Sequence, residues 1–216
     1  MFQRLSLFVL LASGTLLHAG EDERRMFTVK VDNKPAGSHE LAIKSRDDGT
    51  VVVASESDVT VKIAIITYKY MYHGNEVWKD GKVRQLTSST NDNGKKHTVI
   101  AESKKEGWAV KADGKEFEVK GDPWPTTYWK LPPAEKRGPN VTLFDADTGK
   151  LINAKMEKMG VEKIIVLGKS VPCVHYRLTG GVQVDLWFDG ADRMVQQESI
   201  EQGHRTVLEL NRLQRE

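Results

Sequence analysis

The sequence lacks the residues that build covalent cross-links and metal clusters. Its 216 residues include a single cysteine, Cys173, which excludes an internal disulfide and a cysteine-rich structural metal site. The formal net charge is only +2, without the basic excess that is typical of nucleic-acid-binding proteins, so no nucleic-acid partner is expected. At 39% hydrophobic residues, the chain has enough apolar side chains to fold around an ordinary core.

Common enzyme motifs are also missing. The chain has no phosphate-binding P-loop, no Gly-x-Gly-x-x-Gly, no Gly-x-Ser-x-Gly and no His-Glu-x-x-His. Its histidines after residue 19 stand singly on separate segments, without the spacing that metal ligands show, so we expect neither a metal nor another cofactor. These histidines are His39, His73, His97, His175 and His204.

The first 19 residues have the layout of an export signal. Arg4 supplies a positive charge, the run from Leu5 to Leu17 is almost wholly apolar, and Ala19 precedes a charged segment. This run is well short of the roughly 20 residues that span a bilayer. We therefore expect cleavage after Ala19, a periplasmic or secreted protein without a transmembrane segment, and one β-rich domain over residues 20–216. A buried N-terminal helix is the alternative.

The rest of the chain alternates apolar and polar residues between glycine turns. Phe27, Val29 and Val31 share one face, and several later segments repeat this period of two, which indicates antiparallel strands. The predicted fold is mainly β, with little helix: a single curved antiparallel sheet that forms a half-barrel or an open barrel meander. The predicted hairpin turns are Asp48-Gly49, Asp80-Gly81, Asn93-Gly94, Asp113-Gly114 and Asp189-Gly190.

Two segments depart from the regular pattern. Residues 58–72 show no turn signal, yet their apolar face changes parity at Ile65-Ile66. Either a β-bulge bends one long strand there, or the strand is buried on both faces. Prolines cluster between Gly121 and Asn140, which predicts a long loop or lid with one short turn within residues 130–137.

The hairpin near the C-terminus can be placed in register from its apolar faces. Matching these faces puts Leu178 opposite Val182 and leaves residues 179–181 as a three-residue loop that contains Gly180 and Gly181. The other face then pairs Arg177 with Gln183, His175 with Asp185, and Cys173 with Trp187.

This register yields one candidate catalytic set, Cys173, His175 and Asp185. A thiol nucleophile needs a base within hydrogen-bond reach and an acid that orients the base, and Asp185 opposite His175 meets the second requirement. Cys173 lies roughly 7 Å from His175 by strand rise, which is too far unless the side chains lean together. The set therefore predicts either a hydrolase or an ion pair beside a half-buried cysteine.

The aromatic residues form a second candidate site, for an apolar ligand. Three tyrosines share one strand face, and further rings lie in the proline-rich segment. A curved sheet lined by these rings would hold an apolar molecule, whereas rings packed together would only form the core. The candidate ligand-binding residues are Tyr68, Tyr70, Tyr72, Trp78, Trp124, Tyr128 and Trp129.

Four parts of the sequence carry a family resemblance. They are Phe27-Thr28-Val29 through Lys34-Pro35-Ala36-Gly37, then Glu76-Val77-Trp78-Lys79-Asp80-Gly81, Thr127-Tyr128-Trp129, and Val174–Gly180 running into Asp185–Asp189. Over most of residues 26–212 the chain resembles an uncharacterised family of exported bacterial proteins, known only as a domain of unknown function. More distantly, it is similar to periplasmic half-barrel proteins of the lipoprotein-carrier fold, which implies an apolar ligand in the concave face.

The sequence therefore favours a non-enzymatic protein that binds or carries an apolar or amphiphilic ligand, such as a lipid, in the periplasm. The alternatives are a thiol or His/Asp hydrolase and an envelope protein that binds other proteins through a sheet edge or an exposed face.

Overall fold

The computed structural model describes residues 22–63, 66–201 and 203–216, in which fifteen strands form one sheet. The predicted export signal lies outside these residues. The strands are β1 (Asp22–Val31), β2 (Lys34–Ser45), β3 (Thr50–Ile63), β4 (Ile66–Lys79), β5 (Lys82–Asp92), β6 (Lys95–Lys104), β7 (Gly107–Ala112), β8 (Lys115–Lys120), β9 (Trp124–Pro125), β10 (Gly138–Phe144), β11 (Leu151–Val166), β12 (Lys169–Gly180), β13 (Val184–Phe188), β14 (Met194–Glu201) and β15 (His204–Arg215).

The sheet is two meanders joined at its centre. β1 pairs with β15, β2 to β8 extend from β1 in one direction, and β14 to β9 extend from β15 in the other. The pairs are antiparallel except for β9 and β10, which run parallel over two residues, so the sheet is mixed. The prediction of a mainly β protein with an open, curved sheet is confirmed.

Tight turns connect the strands where the sequence predicts them. All five Asp-Gly and Asn-Gly pairs fall between consecutive strands. At Asp80-Gly81 both residues have positive φ, 53° and 73°, which is the conformation that matches a two-residue turn to the twist of its strands. This conformation strains most side chains, so the choice of residue fixes the hairpin locally.

Residues 58–63 and 66–72 belong to two separate strands, so both sequence interpretations of a single long strand are wrong. β3 ends at Ile63, β4 begins at Ile66, and the two strands pair antiparallel. Val59 is paired with Tyr70, and Val61 with Tyr68, which places the valines and the tyrosines on the same face of the sheet. The change from odd-numbered to even-numbered apolar positions therefore marks the passage from one strand to the next, although a bulge would change it in the same way. Neither glycine nor proline stands between Ile63 and Ile66 to signal two strands.

The register predicted for β12 and β13 is wrong by two residues. Leu178 is paired with Val184, and His175 lies opposite Trp187. The loop is longer than expected because β12 stays bound to β11 as far as Gly180, and the Gly181 amide donates to the carbonyl of Asn153. A shift of two residues keeps every side chain on its predicted face.

The two ends of the sheet curl toward each other. Trp108 on β7 packs against Phe144 at the end of β10, with ring centroids 5.0 Å apart. The Ser88 hydroxyl on β5 donates to the carbonyl of Ala146, in the turn between β10 and β11. These contacts join strands from opposite halves, so the sheet encloses an interior although its edges do not pair.

The proline-rich segment closes one end of this interior. Trp124, Tyr128, Trp129 and Leu131 are all buried, and the predicted short turn is a 3-10 turn at Ala134–Lys136. The segment is therefore packed into the fold as a plug. Across the described ranges, no helix is long and apolar enough to cross a membrane.

Candidate functional site

A cavity of about 800 Å³ lies inside the curled sheet. Its walls come from both halves of the sheet, chiefly from β1, β3, β4, β14 and β15, together with residues 126–128 and 145–147. The volume falls within the range of ligand pockets, about 300–1,000 Å³. The cavity is therefore the main candidate for a functional site in the described part of the chain.

One part of the cavity wall is apolar. Except for Val182, in the loop before β13, these side chains come from the β1–β15 pair and from strands on both sides of it, and alternation along each strand turns them to the same face. Such a surface suits the hydrocarbon part of a ligand. The apolar residues are Val29, Val31, Val59, Val61, Ile152, Val182, Val184 and Leu208.

The three tyrosines of β4 line the cavity, as the sequence predicts. The hydroxyl of Tyr68 donates to Asp92 at 2.6 Å, and that of Tyr70 donates to both carboxylate oxygens of Asp147, at 3.0 and 2.9 Å. Burial, reinforced by these carboxylates, raises the pKa of Tyr68 and Tyr70 well above the ordinary value, so both stay protonated donors. Burial also raises the pKa of Tyr72.

The polar part of the wall is acidic. Asp92, Asp145, Asp147 and Glu201 line the cavity. Burial, and then the nearby charge of Asp145, raise the pKa of Asp147 to about 6, although hydrogen bonds from Tyr70 and Thr90 act in the opposite direction. At neutral pH Asp147 is therefore mostly ionised, although its burial and the neighbouring charge favour the protonated form.

Two histidines complete the polar wall. His39 is buried beside Ser57, whose hydroxyl lies 2.7 Å from its Nδ1 atom, and burial lowers the pKa of His39 to about 4. His39 is therefore neutral at pH 7. His204 lies at the other side with its Nδ1 atom 2.7 Å from Asp32.

The tryptophans among the predicted ligand-binding residues lie outside the cavity wall. Trp78 packs against Trp124 and Trp129, with ring centroids 4.9 and 5.6 Å apart. Tyr128, from the same proline-rich segment, does line the cavity. The predicted aromatic set thus divides into four tyrosines in the wall and a cluster in which Trp78 of β4 packs against two tryptophans of the plug, Trp124 and Trp129.

A carboxyl group, Glu76, is buried within this tryptophan cluster. Its Oε2 atom accepts a hydrogen bond of 2.7 Å from the Trp78 indole. Burial raises the pKa of Glu76 to about 7; Thr127, Trp78 and Trp129 each act to lower it. The Thr127 hydroxyl and the Trp129 indole lie close to the carboxyl without reaching good hydrogen-bond geometry.

The predicted catalytic residues lie on the outer side of the sheet. Val184 lines the cavity, and Asp185, its neighbour in the same strand, therefore points the other way. The His175–Asp185 contact exists despite the shifted register, with the His175 Nε2 atom 2.5 Å from Asp185. The His175 Nδ1 atom lies 2.8 Å from Glu162, and its ring stacks on Trp187.

Both nitrogens of His175 therefore face carboxylates, and Arg177 also binds Asp185 at 2.8 Å. This arrangement gives the imidazole two acceptors and leaves neither nitrogen for a thiol. Burial raises the pKa of Cys173 to about 11, and no hydrogen bond joins its thiol to His175 among the described contacts. The group has the features of an ion network around a buried histidine, beside a buried, protonated cysteine.

Metal binding finds no support in the same residues. Within the described ranges, no three His, Cys, Asp or Glu side chains are grouped closely enough to hold a metal ion.

The acidic part of the cavity wall has no signature in the sequence. Asp145 and Asp147 lie in a short connection that has an ordinary turn composition, and Glu201 ends a strand, where charges are usually solvated. No local signal distinguishes these residues from surface carboxylates. They come together only because the sheet curls.

Comparisons with known proteins agree with the fold and leave the activity open. A family model described as "Domain of unknown function (DUF6134)" matches residues 27–211. A crystal structure of a beta-barrel-like protein of domain of unknown function DUF1849 from Brucella abortus is similar, with a TM-score of 0.67 at 14% identity. The match covers 90% of this chain and 98% of that one. No curated protein matches.

Proposed function

We propose that this chain, which belongs to the DUF6134 family, binds and carries an apolar or amphiphilic small molecule in its central cavity. The observation that carries the proposal is the cavity of about 800 Å³, with an apolar wall beside a row of tyrosines. Buried apolar surface supplies most of the binding free energy of such ligands, and a few polar groups orient them.

The proposal includes export. The apolar run of residues 5–17, the preceding Arg4 and the small residue Ala19 favour a signal that delivers the chain to the periplasm or the medium. A carrier with a cavity inside its curled sheet suits that compartment, because an apolar molecule crossing an aqueous space needs its surface shielded from water.

A fluorescent apolar probe tests binding directly. We expect N-phenyl-1-naphthylamine to bind the purified protein with a blue-shifted, saturable emission. Leu208 lies in the cavity wall on the central strand β15, and it is only partly buried, so a larger side chain there can extend into the open volume. The variant Leu208→Trp should weaken probe binding about tenfold or more by filling that volume.

The matched control is Ile100→Trp, which places the same indole on an exposed position of β6 outside the cavity. Its probe binding should equal that of the unmodified protein. If the unmodified protein and Ile100→Trp do not bind the probe, or if Leu208→Trp binds it as well as Ile100→Trp does, the cavity is not a binding site and the proposal is wrong.

A further inference from the structure

The charges of the cavity wall are predominantly negative. Its described wall contains four carboxylates, Asp92, Asp145, Asp147 and Glu201, and no lysine or arginine. Of its two histidines, His39 is neutral at pH 7, since its pKa is lowered to about 4, and His204 is paired with Asp32, 2.7 Å from its Nδ1 atom. The chain contains 32 lysines and arginines against 30 aspartates and glutamates, yet none of these 32 basic residues lines the described wall.

The carboxylates converge from separate parts of the fold. Asp147 and Asp145 lie between β10 and β11, and the Asp147 amide donates to Asp145 at 3.0 Å. Glu201 at the end of β14 is near enough for its charge to disfavour ionisation of Asp147. Like charges in a partly desolvated site repel one another, so these carboxylates disfavour one another's ionised forms in the cavity wall.

The tyrosines add a second feature that suits a cation. Tyr68, Tyr70 and Tyr72 present their rings along one wall, and the negative face of an aromatic ring attracts ammonium groups. Tyr72 is only 4% exposed, its ring extends over Gly74, and its hydroxyl lies close to Ser55.

We propose that the cavity selects amphiphiles with a positively charged head group, such as a long-chain amine or quaternary ammonium compound. The head group lies against Asp147, Asp145 and Glu201, and the hydrocarbon tail lies along the valines of β1 and β3. This inference rests on the proposed carrier function and names its ligand class. A fatty acid or an anionic lipid would instead bring a further negative charge to a site that already holds four carboxylates.

Three probes with twelve-carbon chains separate charge from hydrophobicity. They are dodecyltrimethylammonium, laurate and dodecyl maltoside, each titrated below its micelle concentration against the full protein by calorimetry or by displacement of the fluorescent probe. We expect the cationic probe to bind about tenfold or more tightly than laurate, with the neutral probe between them. We expect this preference to shrink as salt concentration rises.

Two near-isosteric variants locate the selectivity. Asp147→Asn and Glu201→Gln should each weaken binding of the cationic probe severalfold more than they weaken binding of dodecyl maltoside, which has no charge to lose a partner. The control Glu118→Gln removes an equal charge from an exposed position on β8 and should change none of the three affinities.

The outcomes distinguish this inference from the proposed function. Equal affinities for the three probes, or a preference for laurate, would overturn the inference and leave the carrier function in place. A cationic preference that survives both cavity variants would overturn the role of these carboxylates. If no probe binds, the inference and the proposed function are both wrong.

Discussion

The hydroxyl of Tyr70 donates to both carboxylate oxygens of Asp147, 77 positions later in the sequence. Tyr70 lies on β4, in one half of the sheet, and Asp147 lies between β10 and β11, in the other half. The contact therefore joins the two halves across the interior. It also places a buried acid and an aromatic ring side by side in the cavity wall.

Removing this hydroxyl should destabilise the fold. Tyr70→Phe leaves Asp147 in its site without its closest donor, and an under-satisfied buried carboxylate costs about 1–3 kcal/mol. The free energy of unfolding in urea should fall by that amount at pH 7. Tyr68→Phe is the matched control, because Tyr68 binds Asp92 on the adjacent strand and does not join the two halves. Equal losses in the two variants would contradict a special role for the Tyr70 contact.

Glu76 should make stability depend on pH. Its pKa is raised to about 7 in the folded protein, against 4.5 in an unfolded chain, because the carboxyl is buried among tryptophans. Between these values the folded state retains a proton that the unfolded state has lost, so stability falls as pH rises from about 4.5 to about 7. Above pH 7 the accumulated loss is on the order of 3 kcal/mol.

Glu76→Gln should abolish this dependence, since an amide keeps an acceptor for the Trp78 indole and carries no charge. The variant should be more stable than the unmodified protein at pH 8, and the difference should shrink toward pH 4. Thermal unfolding across this pH range measures it, with the exposed Glu118→Gln as control for the loss of one charge. A pH-independent difference would contradict a buried, ionising Glu76.

Cys173 should be unreactive in the folded protein. Its side chain is 1% exposed, and its pKa is raised to about 11 by burial and then by the charge of Asp189. The thiolate is the species that reacts, so a disulfide reagent at pH 7 should modify the native protein at least about a hundredfold more slowly than the urea-unfolded chain. Rapid modification of the native protein would instead revive the thiol-hydrolase alternative.

The sequence predicts the strands and most turns because both depend on local chemistry. Alternation identifies the buried faces, and pairs such as Asp80-Gly81 adopt the positive φ values that a tight turn needs. The break between β3 and β4 was missed because no residue of that kind stands between Ile63 and Ile66. The β12–β13 register was missed because Gly180 and Gly181 are held by β11, a partner that the hairpin sequence does not reveal.

The candidate site could be predicted only in part. The tyrosines of β4 were found because alternation places them on one face, and their neighbours on β3 belong to the same wall. Asp147 and Glu201 could not be found, because they become neighbours only through the curl of the whole sheet. The His175–Asp185 contact was anticipated, whereas Glu162, the second acid at His175, lies on β11 beyond the analysed hairpin.

The most direct test of the carrier function is native mass spectrometry of the protein purified from its own cells. The account predicts a population heavier than the polypeptide by the mass of one bound small molecule, which gentle activation releases, and this population should be lost in Leu208→Trp and retained in Ile100→Trp. A spectrum that shows only the bare polypeptide mass, from protein kept free of detergent throughout, would contradict the claim that the cavity carries a ligand.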